Sequence, residues 1–234
     1  MRKVLSDIKR GLTEPTFFHS ILILLCIMII SGIYYFTTNK MYIADEAFIT
    51  IQSLIIPFVA PLLVCLPYSS MNMLEQDSGY RKLIVYRTGY TKYVVMRFIS
   101  NGVVGGITLT FPLLILLVVC RFISPYVQVN EIIKVICLDF GFGLSYATAA
   151  YGLTFFNNKR YIPNVAPQVV YLLLTYSLPY LNLDKFYPPL SYAPWLLVHQ
   201  TDIAAIIIQF VILIGFGILG MVYGVLYNLY SILK

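Results

Sequence analysis

A chain of 234 residues that is 59% hydrophobic and only 11% charged, with a mean hydropathy of +0.82, is too apolar for a soluble globular domain, where the apolar share is about 45–50%. The formal net charge of +6 comes from 16 Lys and Arg against 10 Asp and Glu; in a membrane chain such an excess follows from loop topology and does not point to nucleic acid. The apolar residues lie in long runs, so the expected class is an all-α integral membrane protein with a single transmembrane domain over residues 1–234.

Residues 1–16 predict an amphipathic helix in the membrane interface. Val4, Leu5, Ile8 and Leu12 share one helical face, and Arg2, Lys3, Asp7, Lys9 and Arg10 take the remainder. Gly11 and Pro15 are expected to end it. Six spans follow: Phe17–Phe36, Phe48–Tyr68, Phe98–Val119, Val135–Phe156, Val165–Leu181 and Ile203–Tyr230. A span needs about 20 apolar residues, and the fifth is the shortest. The first starts late and lacks a small-residue cleavage site, so it is expected to be retained.

Prolines 57, 61 and 67 in the second span, 112 in the third, and 167 and 179 in the fifth predict kinks whose freed carbonyls are satisfied by neighbours. Gly102 and Gly106 in the third span and Gly220 and Gly224 in the sixth form GxxxG pairs, which mark close helix packing inside the chain or at a dimer interface. Gly215, Gly217 and Gly220 match GxGxxG, but a dinucleotide loop needs a preceding strand, and this motif lies inside a span. Asp139 is the only carboxylate well inside a span, roughly 12 Å along the helix from Glu131. Two roles stay open for it: an ion pair with Arg121 or Lys134, or contact with a substrate or proton. Residues 182–202 form an outer segment rich in Pro and aromatics, among them Phe186, Tyr187, Tyr192 and Trp195. Its composition suits an interfacial loop or two short half-helices.

Catalytic and metal chemistry find little support. Cys26, Cys65, Cys120 and Cys137 lie in or beside apolar runs with no CxxC spacing, so buried thiols are expected rather than disulfides or zinc ligands. His19 and His199 fall near opposite ends of their spans and cannot share a metal. No Gly-Lys dipeptide occurs, so the chain has no P-loop of its own and is expected to bind no cofactor and to be no enzyme by itself. With the N-terminus inside, 12 of the 16 Lys and Arg fall in cytoplasmic segments and 4 outside. Both termini are therefore expected to be cytoplasmic.

Residues 69–97 concentrate charge between the second and third spans: Glu75, Asp77, Arg81, Lys82, Arg87, Lys92 and Arg97. The order acidic, Ser-Gly, basic, then a second basic helix start resembles the permease subunits of type-2 ABC exporters. So does the wider layout of an interfacial N-terminal helix, six spans and an aromatic outer segment. The resemblance implies that Glu75, Asp77, Gly79, Tyr80, Arg81 and Arg87 form a coupling helix that docks on a separate ATPase subunit. It further implies two permease copies, alike or related, with two ATPase subunits that carry ATP and Mg, and export of an amphipathic peptide, lipid or drug. The setting would be the cell membrane of a bacterium, with lipid as a further partner. Three other readings compete with it: an ATP-independent secondary transporter using Asp139, a membrane-embedded enzyme, which would need a cluster of His, Asp or Glu at one depth, and a membrane immunity protein that binds a peptide.

Overall fold

The long apolar runs satisfy their own backbone hydrogen bonds, which is what a hydrocarbon environment demands. In the computed structural model, which describes residues 2–38, 44–123, 129–156, 159–183, 186–192 and 203–233, every regular element among the described residues is helical. In chain order these are α1 (Arg2–Thr13), α2 (Pro15–Thr38), α3 (Ala44–Leu54), α4 (Ile56–Cys65), α5 (Met71–Asp77), α6 (Tyr80–Thr88), α7 (Tyr90–Ile123), α8 (Val129–Leu153), α9 (Ile162–Ser177) and α10 (Ile203–Leu233).

Four helices, α2, α7, α8 and α10, are long and apolar enough to cross a membrane, and a fifth crossing arises if α3 and α4 count as one span. This is fewer than the six expected. The second expected span is broken: α3 and α4 meet at 67°. Pro57 cannot donate the amide that would continue α3, and its fixed φ suits the first turn of a new helix. The fifth expected span is the 16-residue α9, about 24 Å long, short of the roughly 30 Å of hydrocarbon. The outer segment is described only in part. Pro188–Ser191 form a 3-10 turn that is buried, and Tyr192 sits in the core with its ring 5.7 Å from that of Phe142. Pro194, Trp195 and His199 lie outside the described residues.

α8 is the centre of the bundle and packs on α4, α7, α9 and α10. Glycines set its spacing. Gly102 lies against Thr148 and Leu144, and Gly106 against the Phe140 ring. Gly220 meets the backbone of Gly152, and Gly224 meets Phe155. All four GxxxG glycines thus face a neighbouring part of the same chain. Gly217 belongs to the same seam, because a Cβ there would stand 2.5 Å from the Thr148 carbonyl. Around this seam, Leu24, Phe48, Leu63, Leu109 and Tyr171 build one core. Leu22, Ile29 and Ile33 of α2 and Val211, Leu219 and Leu226 of α10 point outward, as side chains facing lipid would.

α4 is braced from α9. Pro61 lies inside α4 and has no amide to donate to residue 57, and the Gln168 side chain bonds the backbone beside it. Its Oε1 accepts from the Leu62 amide at 3.0 Å, and its Nε2 donates to the Phe58 carbonyl at 2.6 Å. One glutamine thus ties α9 to α4 on both sides of Pro61. α1 also departs from expectation. Gly11 does not end it: the helix runs on to Thr13, and Gly11 marks a close approach where a Cβ would be 2.7 Å from Val104. Asp7 and Gly11 face inward, while Leu5 is 71% exposed.

Two outcomes test this packing by thermal unfolding of the purified protein in mild detergent. Gln168→Leu removes two part-buried hydrogen bonds to the backbone of α4, each worth about 0.5–1.5 kcal/mol, and should lower the midpoint. Gly220→Ile should lower the midpoint through overpacking worth about 1–3 kcal/mol, whereas Gly215→Ala, with nothing within 4 Å of its Cβ position, should leave the midpoint unchanged or raise it slightly.

Candidate functional site

The charged segment folds as two short helices set off by two glycines. Gly79 at φ +74° joins α5 to α6, and Gly89 at φ +80° joins α6 to α7. Neither has a neighbour within 4 Å of a would-be Cβ. The left-handed backbone, rather than lack of space, therefore calls for glycine at both positions.

α5 turns Glu75 inward, and there it meets charges from two distant helices. Arg97 of α7 is 1% exposed, and its two terminal nitrogens donate separately, one to Asp7 of α1 and the other to Glu75 of α5. Arg10 makes a second ion pair with Glu75. Tyr68 donates to the Asp7 carboxylate at 2.7 Å, and Tyr93 to Glu75 at 2.6 Å. The rings of the same tyrosines flank the guanidinium, with centroids 5.2 and 5.6 Å from Arg97 Cζ. A buried charge is tolerated when it is paired and hydrogen-bonded. Here two carboxylates, two guanidiniums and two tyrosines join α1, α5 and α7. Burial raises the Asp7 and Glu75 carboxyls above their usual values. The Arg97 charge opposes this most at Asp7, and the Tyr93 hydrogen bond opposes it most at Glu75.

α6 is the opposite case, since none of its residues is buried. Tyr86 is 93% and Leu83 64% exposed. Arg81 braces the helix by donating to Gln76 at 2.6 Å and to the Tyr90 hydroxyl at 2.8 Å, and it also lies over the Tyr90 ring. Asp77 binds Arg160 through two nitrogens at 2.6 and 2.8 Å, in an exposed pair that ties α5 to the stretch before α9.

The residues expected to form one coupling element therefore divide. Glu75 is interior and belongs to the charged hub. Gly79 makes the turn. Tyr80 lies beneath Arg10, at 5.4 Å. Asp77, Arg81 and Arg87 remain toward the outside. Asp139 is fully buried in α8, about 18 Å along that helix from Tyr151, whose hydroxyl donates to the Val94 carbonyl one turn before Arg97, and the structure does not bring it to the hub. Sequence reading missed Asp7, Tyr68, Tyr93 and the pairing of Arg97. The only hint was an aspartate on an otherwise basic helix face. No local spacing reports a contact made across 90 residues.

Between α1, α6 and α7 lies a cavity of about 400 Å³ lined by Lys3, Asp7, Arg10, Tyr80, Arg87 and Arg97, among others. Among the described residues no group of three or more His, Cys, Asp or Glu could hold a metal. Comparison with protein families, curated proteins and solved structures found no match to this chain.

Arg97→Ala should cost about 3–5 kcal/mol, because two carboxylates are left without their shared cation. The sign of its pH dependence follows from the raised carboxyls: the native state keeps protons that the unfolded chain releases, so stability falls as pH rises above the ordinary carboxyl range. Without Arg97 that window extends upward. The variant should regain part of its loss at about pH 4–5, read as unfolding midpoints across pH for both proteins.

Proposed function

We propose that this chain is the transmembrane permease subunit of an ATP-driven exporter of the type-2 ABC class. It works in a bacterial cell membrane with both termini in the cytoplasm, paired with a second permease and driven by two separate ATPase subunits. The bent pair α3–α4 and the short α9 then complete six crossings. ATP and Mg belong to the partner, and an amphipathic peptide is the favoured cargo, with a lipid or drug as alternatives in the same class.

One observation carries the reading. A short helix with no buried residue, α6, is mounted on a buried ion-pair hub that grips α1 and α7. A docking helix has to be exposed on one side and rigidly held on the other, and α6 meets both conditions. Tyr86 and Leu83 offer apolar contact and Lys82 offers charge. A push on α6 passes through Arg81–Tyr90 and through Glu75–Arg97 into α7, the longest helix among the described residues.

Co-purification tests this. The tagged full chain, extracted from native membranes in mild detergent, should carry a stoichiometric ABC ATPase. A Lys82→Glu/Tyr86→Ala variant should lose it while keeping the same unfolding midpoint, because neither side chain joins the hub. A preparation free of ATPase at natural expression levels would overturn the proposal. Transport that persists without ATPase and stops in Asp139→Asn would replace it with the ion-driven reading.

A further inference from the structure

The cavity between α1, α6 and α7 is built from faces that the helical period brings together. From α1 come Lys3, Ser6, Asp7 and Arg10, at spacings of three, four and seven; from α6 come Tyr80, Ile84, Arg87 and Thr88; Met96 and Arg97 of α7 complete the lining. Four cations border it, and Asp7 with the adjoining Glu75 supplies two carboxylates. Glu14 also pairs with Arg10 at 4.0 Å, so a formal excess of one positive charge remains. Lys3 and Arg87 are exposed and have no acidic partner within ion-pair distance among the described residues. Arg97, the buried member, has a second distinguishing feature: its Nε–H is enclosed and has no acceptor.

We propose that this cavity binds a phosphate group, supplied by the headgroup of an anionic membrane lipid. The charge excess calls for an anion. The lining carries donor side chains from three helices: Lys3, Ser6 and Arg10 from α1, Arg87 from α6, and Arg97 from α7. A tetrahedral phosphate accepts from several directions at once, and guanidinium forks match it well. The volume of about 400 Å³ exceeds what a lone carboxylate fills.

The depth and the walls favour a lipid source. α7 has 34 residues, about 51 Å, against roughly 30 Å of hydrocarbon and 40–45 Å with headgroups. With α7 centred on the bilayer, Arg97, about 10 Å from the start of that helix, stands about 15 Å from the midplane, at the edge of the headgroup layer. Ile84 and Met96 give the cavity an apolar wall. Basic pockets at the ends of membrane helices hold acidic headgroups in this way. The site stands whether or not an ATPase docks on α6.

The test titrates the full chain in mild detergent with dioctanoyl phosphatidylglycerol, dioctanoylglycerol and inorganic phosphate, following bound ligand by native mass spectrometry. One saturable phosphatidylglycerol is expected, with dioctanoylglycerol at least tenfold weaker. Lys3→Gln/Arg87→Gln should weaken phosphatidylglycerol at least tenfold without shifting the unfolding midpoint. Lys82→Gln/Lys92→Gln removes the same charge away from the cavity and should bind as the parent does. Equal weakening in both pairs, or none in the first, overturns the site. Inorganic phosphate binding as tightly as the lipid overturns the lipid source.

Discussion

Arg97 has 1% of its surface exposed, so its charge has to be met by acceptors, and its two terminal nitrogens obtain them from two other helices, 90 and 22 residues away in sequence. That requirement organises one end of the molecule. It turns the polar edge of α1 inward, so that Asp7 is buried and Leu5 is left outside. It also turns Glu75 away from solvent and brings Tyr68 and Tyr93 onto the two sides of the cation. Buried ion pairs contribute little net stability over apolar packing, yet losing one partner is costly. The hub therefore acts mainly by making one arrangement of α1, α5 and α7 far better than its alternatives.

The rest of the bundle is held differently. Between apolar helices in lipid there is little hydrophobic drive, so close backbone approach and hydrogen bonds must supply the attraction. The seam of Gly102, Gly106, Gly217 and Gly220 against α8 provides the first, and Gln168 bonding the backbone on both sides of Pro61 provides the second. The glycine seam keeps α7, α8 and α10 together as a unit, while the glutamine ties α9 to α4. The bent α3–α4 pair is itself part of the core, to which it contributes Phe48, Ile51, Ile56 and Leu63.

Seen this way, the cavity and α6 are two faces of one element. Tyr80, Ile84, Arg87 and Thr88 turn toward α1, and Leu83 and Tyr86 turn away. The helix thus has a basic, cavity-lining inner face and an apolar, aromatic outer face.

What the sequence determined by itself was local. Runs of apolar residues marked the helices, composition marked the membrane, and charge density marked residues 69–97 as unusual, because each of these is a property of neighbouring residues. Tertiary structure decided the rest. It split the second span at Pro57, shortened the fifth to α9, and directed all four GxxxG glycines into contacts within the chain. It also separated Glu75 from Arg81, two residues six apart that seemed to share a role: one became part of a buried hub and the other an exterior strut. Helical periodicity says which residues share a face, but what that face meets depends on partners tens of residues away. For Asp7 and Arg97, 90 residues apart, only the folded chain brings the two charges together.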